Sequence, residues 1–193
     1  GSDIAGTRLT GAYGQSRGGY STRGGGLSAG TKQGDLDVVA HLSLRESLRS
    51  RRTYTDIYGD SIQLGDNSAR LTTFNGNIGL VYRDLKVRLL AEEYDNRMRD
   101  GFDAVLPEAV TARSRTLAAD ATYDWRPSAD FTITPRLTYK RFAPWRVTEP
   151  LPYVLDNYVY YDTQADRSSA SLTASYDVYP GTSVMLGSEY LTD

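Results

Sequence analysis

The feature that most constrains the fold of this chain is a strict alternation between short turns and long irregular segments. In the stretch between each short turn and the next irregular segment, apolar and polar residues alternate one by one. The short turns contain Gly, Pro and Asp, because Gly allows a positive φ, Pro fixes φ, and Asp forms local hydrogen bonds. Each turn is short enough to join two antiparallel strands as a hairpin. We predict four of them: Lys32-Gln33-Gly34-Asp35, Arg83-Asp84, Arg126-Pro127-Ser128-Ala129-Asp130 and Pro180-Gly181.

The segments that flank these turns show the period-two pattern of a strand with two different faces. After the first turn, Leu36 and Val38 share one face, and Asp37 lies on the opposite face. Two segments near the start show a weaker pattern because they are rich in glycine. The pattern predicts about nine antiparallel strands of roughly 10 to 14 residues each.

The remaining segments are long, and they alternate with the tight turns, so they are all predicted to lie at one edge of the sheet. Three of them are longer than compact domains usually have without secondary structure. The best short helix candidate, Ala104–Ala112, falls inside the third. The four predicted loops are Gln15–Thr22, Glu46–Ala69, Asn96–Arg113 and Pro144–Arg167.

Composition excludes several classes of protein. The chain has 193 residues, the length of one domain by the usual prior, and a net charge of −2, which argues against a general nucleic-acid binder. The absence of cysteine excludes disulfides and thiolate metal sites. No apolar run reaches the roughly 20 residues of a membrane-spanning helix. A protein that crosses a membrane with β-strands is not excluded, because each strand gives a much weaker hydropathy signal than a membrane-spanning helix.

The lengths and faces of the predicted strands favour a membrane barrel. A tilted strand of about 9 to 11 residues crosses a bilayer core, whereas globular strands average about 5 or 6 residues. Charged residues in mid-strand suit a water-filled lumen, because a dry core would leave them unpaired. The opposite face is apolar, with aromatic residues towards both ends, as on a lipid-facing wall. Those near the turns are Tyr82, Tyr123, Trp125, Phe131, Tyr176 and Tyr179, and those near the loops are Tyr13, Tyr94, Tyr139, Phe142 and Tyr190. The predicted fold is therefore all-β: an antiparallel up-and-down transmembrane β-barrel, or partial barrel, with short periplasmic turns and long extracellular loops.

Several stretches give the chain a resemblance to the barrel of TonB-dependent outer-membrane receptors. They are GTRLTGAYGQ, GGGLSAGTKQGDLDVVAHLSL, FNGNIGLVYRDLKVRLLAEEYDN and LAADATYDWRPSADFTITPRLTYKRF. The resemblance implies that residues 1–193 are one segment of a larger barrel in the bacterial outer membrane, without the plug and the C-terminal strands.

The same resemblance implies a function. Such a receptor binds and imports a scarce nutrient, such as a siderophore, with energy from the TonB complex delivered through a plug. Its partners are outer-membrane lipid, lipopolysaccharide and a small nutrient ligand, with no nucleic acid, no cofactor and no enzymatic activity. The main alternative is a self-contained small barrel, either a porin or an adhesin. A soluble all-β binding module is a third possibility.

Two groups of residues are candidates for ligand contact. A basic run that includes Arg49, Arg51 and Arg52 enters the second loop, and arginine pairs with oxyanions such as lipopolysaccharide phosphates. The alternative is a solvated loop beside acidic neighbours. In the fourth loop, aromatic side chains beside polar ones suit flat ligands, sugars or iron chelates, or a loop that packs on itself. The aromatic candidates are Trp145, Tyr153, Tyr158, Tyr160 and Tyr161.

Two further features have structural interpretations. His41 is the only histidine and lies on the polar face, without the partners that a catalytic or metal site needs. The Gly24-Gly25-Gly26 run is not followed by Lys-Ser or Lys-Thr, so a phosphate-binding loop is not indicated. Close packing between strands, or a bend, is the interpretation we favour for these glycines.

Overall fold

The computed structural model describes residues 5–15, 21–101, 104–147 and 162–193, and these form twelve β-strands. Within those ranges, no helix is long and apolar enough to span a membrane. The strands are β1 (Gly6–Gln15), β2 (Ser21–Gln33), β3 (Leu36–Leu48), β4 (Thr53–Thr55), β5 (Ser61–Gln63), β6 (Arg70–Tyr82), β7 (Leu85–Asp100), β8 (Val105–Tyr123), β9 (Trp125–Ser128), β10 (Phe131–Val147), β11 (Asp162–Tyr179) and β12 (Thr182–Thr192).

Nine long strands form one sheet in the order β1-β2-β3-β6-β7-β8-β10-β11-β12, and every neighbouring pair is antiparallel. The short β9 pairs with β10, and β4 and β5 form a separate hairpin. The prediction of an all-β, up-and-down, antiparallel sheet is confirmed. The sheet is not closed, because β1 and β12 are its two edges.

One edge of the sheet, which we call the turn edge, carries the predicted tight turns. Gly34 and Gly181 adopt φ values of 59° and 86°, which explains the choice of glycine there. Arg83 has a φ of 53°, and its Nε lies 2.9 Å from Asp35 Oδ2 in the preceding turn. The third predicted turn is too long, because Trp125–Ser128 forms β9.

The opposite edge, which we call the loop edge, differs from the prediction because the strands extend further. β7, β8, β10 and β11 have 16, 19, 17 and 18 residues, so they occupy much of the predicted loops Asn96–Arg113 and Pro144–Arg167. The helix candidate Ala104–Ala112 is wrong, because β8 begins at Val105. Pro144 lies where the register of β10 shifts, and such a bulge tolerates a proline inside a strand.

The glycine run on β2 provides close strand packing, as the sequence indicated. A Cβ atom added to Gly24 would lie 2.5 Å from the carbonyl oxygen of Leu44 on β3, a separation that real Cβ atoms essentially never show. At Gly11 on β1, an added Cβ atom would have no neighbour within 4 Å. Glycine is therefore required by packing at position 24 and not at position 11.

The long sheet is one layer thick, and its middle is not a buried core. Leu42, Leu89 and Leu137 lie in mid-strand with 42%, 44% and 61% of their surface exposed. The buried hydrophobic residues within the described ranges all lie towards the loop edge: Leu48, Leu64, Ala69, Val110 and Ala112. A sheet face this apolar is normally covered by a second layer of secondary structure or by a non-aqueous environment.

Candidate functional site

The register assigns every side chain of the sheet to one of two faces, because directly paired residues point to the same side. One face is apolar along its length, and we call it the apolar face. Its rows cross the whole sheet, and no charged residue interrupts them between the turn edge and the middle of the strands. One row is Val38, Leu80, Val87, Ala121, Leu137, Ala170 and Tyr190.

Towards the loop edge, the apolar face ends at a staggered series of ion pairs that we call the charged collar. Arg23 on β2 lies 3.1 Å from Glu46 on β3, measured from Nη2 to Oε1. Arg115 Nε on β8 lies 2.6 Å from Glu93 Oε2 on β7. Arg141 Nε on β10 lies 2.7 Å from Asp166 Oδ1 on β11. These are the first charged residues on that face of their strands. The members of the collar are Arg23, Glu46, Glu93, Arg115, Arg141 and Asp166. The surface between the turns and the collar is the apolar band.

Aromatic residues border the apolar band, although the sequence assigned two of them to the wrong face. Tyr94 pairs with Thr73 and Ser114, and Phe142 pairs with Thr116 and Ala165, so both lie on the polar face. Each lies five residues from an apolar-face leucine of its own strand, Leu89 or Leu137, so strict alternation already assigns both to the polar face. Aromatic residues that do lie on the apolar face are Tyr13, Phe74, Tyr139 and Tyr190 near the collar, and Tyr82, Tyr123, Phe131 and Tyr176 near the turns.

The opposite face, which we call the polar face, satisfies its charges by pairing across strands. Arg136 Nε lies 2.6 Å from Asp120 Oδ2, and Asn75 Nδ2 lies 2.9 Å from Glu92 Oε1. His41 Nδ1 lies 2.8 Å from Ser28 Oγ, so the histidine is part of this cross-strand network. Within the described ranges, no group of three or more His, Asp and Glu side chains is placed to hold a metal ion.

At the loop edge, residues 49–69 form a small unit that we call the outer cap. It contains the β4–β5 hairpin, and its interior consists of Leu64 and Ala69 packed on Leu48, with Tyr54 and Ile62 beside them. This cluster gives the cap a dry interior of its own. Burial of leucine side chains stabilises such a unit in water.

Arg49 ties the outer cap to the end of β7. Its Nη1 and Nη2 atoms donate to Asp100 at 2.9 Å and 2.7 Å, a two-pronged ion pair between half-buried side chains. Among the predicted ligand residues, Arg49 is therefore already paired within the protein. The sequence did not indicate this, because Asp100 lies 51 positions further along the chain.

Asp56 fixes the tip of the outer cap, and the sequence analysis did not single it out. Its Oδ2 accepts the Val105 amide at 2.8 Å, and its Oδ1 accepts the Tyr58 and Asp60 amides at 2.9 Å each. The Val105 amide, followed by the amides of the cap, lowers the pKa of the Asp56 carboxyl, while burial acts in the opposite direction. The local signal was Asp56-Ile57-Tyr58-Gly59-Asp60, in which an aspartate precedes a glycine turn.

The lowered pKa of Asp56 predicts a pH dependence for the cap. A carboxyl whose pKa is lowered on folding stabilises the folded form above its ordinary pKa of 3.8, and this contribution is lost as the pH falls below that value. We expect Asp56→Asn to remove that dependence and to speed hydrogen exchange of the Val105 amide about tenfold at neutral pH. Asp60→Asn is the control, because the Asp60 side chain is exposed. Equal exchange rates at Val105 in the wild type and in Asp56→Asn would contradict this role.

The other predicted arginines have different surroundings. Arg51 and Arg52 are both exposed, and Arg51 lines a pocket. Trp145 is half-buried on β10, beyond the charged collar. The remaining aromatic candidates, Tyr153, Tyr158, Tyr160 and Tyr161, lie outside the residues that the structure describes, so the aromatic site stays a prediction.

The pocket beside Arg51 has a volume of about 350 Å³ and lies at the outer side of the collar. Its β-strand residues include Arg23, Glu46 and Arg70, whose side chains share the side of the sheet that carries the apolar band. The sequence analysis did not name Arg70, because it considered only the basic run around Arg49, and it named Tyr13 only as an aromatic residue near the loops. The residues that give the pocket its chemistry are Tyr13, Arg23, Glu46, Arg51, Asp66 and Arg70.

Comparison of the chain with protein-family models, with curated proteins and with solved structures gives no significant match. The resemblance to TonB-dependent receptors therefore stays a prediction. What the structure defines by itself is a class of architecture: an open, antiparallel, up-and-down β-wall with one apolar and one polar face.

Proposed function

We propose that this chain forms part of the wall of a bacterial outer-membrane β-barrel receptor, with lipid against its apolar face and water against its polar face. The observation that carries the proposal is the apolar band, which is free of charge from the turns up to the charged collar. The turn edge then faces the periplasm, and the outer cap faces the exterior. Short turns at one edge and longer connections at the other are typical of such barrels.

The height of the apolar band fits a membrane. The strand from Leu36 to Leu44 is about 27 Å long at about 3.4 Å per residue. With a tilt of about 40°, it spans about 21 Å, close to the apolar height of about 25 Å of outer-membrane barrels. The aromatic residues near the turns and near the collar then lie at the two interfaces, where amphipathic rings are favoured.

A soluble β-sandwich accounts less well for the same features. It would cover the apolar face with a second sheet, but in the described ranges the long strands all belong to one layer. It would also not require the apolar face to end in ion pairs towards the loop edge. A lipid-facing wall explains that border, because the bilayer core excludes charge and its interface does not.

The receptor part of the proposal is supported by the outer cap and by the resemblance of the barrel stretches. The cap presents Arg51 and Arg52 at the exterior, where an anionic nutrient or lipopolysaccharide would meet them. Uptake of a siderophore-like nutrient with energy from TonB depends on the family resemblance. We propose it as the transport that such a wall serves.

The membrane placement can be tested with two neighbouring alanines on β8. Ala119 pairs with Leu89 and lies on the apolar face, whereas Ala118 pairs with Leu90 and lies on the polar face. The chain has no cysteine, so Ala119→Cys and Ala118→Cys each provide a single attachment site for a spin label. In phosphatidylcholine vesicles, we expect molecular oxygen to relax the label at 119 and a water-soluble nickel chelate to relax the label at 118.

The two labels are matched in residue type, strand and depth, so only the face differs between them. Preferential relaxation by the nickel chelate at both positions would show that both faces meet water, and the membrane proposal would then be wrong. Oxygen access at 118 with nickel access at 119 would mean that the two faces are assigned in the wrong order.

A further inference from the structure

We propose that the pocket beside Arg51 binds the phosphorylated head group of a lipid in the outer leaflet. The inference rests on the proposed membrane placement, and it deepens that proposal by naming a binding site, its residues and the class of ligand. The site differs from a nutrient site because it faces outward from the wall.

The position of the pocket is the first argument. Its strand residues Tyr13, Arg23 and Glu46 are aligned across β1, β2 and β3 on the same side as the apolar band. Glu46 and Arg23 are also members of the charged collar, so the pocket opens where the apolar band ends. A lipid whose chains cover the band therefore has its head group at the level of the pocket.

The charge of the pocket is the second argument. Arg23 and Glu46 neutralise each other, with Arg23 Nη2 at 3.1 Å and 3.2 Å from the two carboxylate oxygens. Arg51 and Arg70 are exposed, and Asp66 is the remaining acid. The pocket thus carries a net positive charge, with two guanidinium groups free of ion pairs in the described part of the chain.

The shape and polar lining of the pocket are the third argument. A volume of about 350 Å³ is within the range of small-molecule sites. Gln15 and Tyr13 contribute polar groups on the same side, and the Tyr13 hydroxyl donates to Gln15 Oε1 at 2.9 Å. Arginine matches phosphate oxygens with two parallel hydrogen bonds, and the hydroxyl and amide groups suit the polar remainder of a head group.

The test uses the whole chain in phosphatidylcholine vesicles that contain a small fraction of phosphatidic acid. After extraction into neutral detergent, intact-complex mass spectrometry measures the phosphatidic acid that stays bound. We expect the double substitution Arg51→Gln with Arg70→Gln to lower this retention at least about tenfold, because two charge-assisted contacts are lost. The matched control is Arg45→Gln with Arg88→Gln, which changes the charge equally on the polar face at two arginines that form no ion pair in the described part of the chain. We expect the control to retain the lipid as the wild type does.

Two results would overturn the inference. Equal retention by the pocket variant and the control variant would mean that the pocket does not select the lipid. Release of the lipid by inorganic phosphate alone, at a concentration equal to that of the lipid, would assign the pocket to a free anion. The spin labels at 118 and 119 test the membrane placement by themselves, because they report on the two faces of the sheet and not on the pocket. A negative result for the pocket can therefore be told apart from a negative result for the membrane placement.

Discussion

Replacement of Leu89 by arginine is expected to destabilise the chain in a bilayer by about 2 to 4 kcal/mol, the cost of an arginine on the lipid-facing midplane of a barrel. Leu89 lies in the middle of the apolar band on β7, between Ile78 and Ala119. In the proposed membrane placement, the guanidinium would have to enter the hydrocarbon or distort the bilayer around it. The free energy of unfolding is measured from the urea-unfolding curve of the vesicle-bound protein, monitored by tryptophan fluorescence.

The neighbouring residue on the same strand provides the matched control. Leu90 pairs with Asn77 and Ala118 on the polar face, so Leu90→Arg places the same charge in the water-facing network. We expect a loss of less than about 1 kcal/mol for this variant, because water solvates the new charge. If the two arginines cost the same, the faces do not meet different solvents.

Removal of the Leu64 side chain is expected to open the outer cap without unfolding the sheet. Leu64 is 8% exposed and packs on Leu48 and Ala69 in a small cluster that has few other contacts. Leucine-to-alanine substitutions in cores cost about 2 to 5 kcal/mol, and a loss of about 2 kcal/mol raises the open population roughly thirtyfold. Hydrogen exchange of the Leu64 amide, which donates to the Arg52 carbonyl at 3.1 Å, measures that population.

Ile57 is the control for the cap, because it lies in the same segment and 76% of its surface is exposed. Ile57→Ala is expected to change the exchange of the Leu64 amide by less than twofold, within the range of surface substitutions. An equal acceleration in the two variants would show that the cap has no specific interior. Faster exchange across β6 and β7 in Leu64→Ala would show instead that cap and sheet unfold as one unit.

The turns and the two faces were predictable from the sequence because both depend on short-range rules. Gly34, Arg83 and Pro180-Gly181 mark positions where the local backbone must reverse, and the structure places turns there. The period-two pattern then assigns most side chains to the correct face. The order of the strands follows, because hairpins make neighbours in sequence neighbours in space.

The ends of the strands were not predictable in the same way. Beyond the charged collar, both faces carry polar residues, so alternation disappears although the strand continues, as in residues 95–97 (Asp-Asn-Arg) on β7. The roles of the arginines also depend on contacts between distant residues. Arg49 and Arg51 are equivalent in the sequence, but one meets Asp100 and the other lines a pocket beside Arg70.

The described residues form an odd number of long strands, nine, and this number restricts how such a sheet can be closed. With nine strands of alternating direction, β1 and β12 both ascend from the turn edge to the loop edge. In the proposed membrane placement, copies related by rotation about the membrane normal would bring β12 beside β1 of the next copy as parallel neighbours. A two-fold axis in the membrane plane would pair β12 with itself antiparallel, but one copy would then be inverted across an asymmetric membrane. Closure by antiparallel pairing alone therefore requires a segment with an odd number of strands, the first and last of which descend.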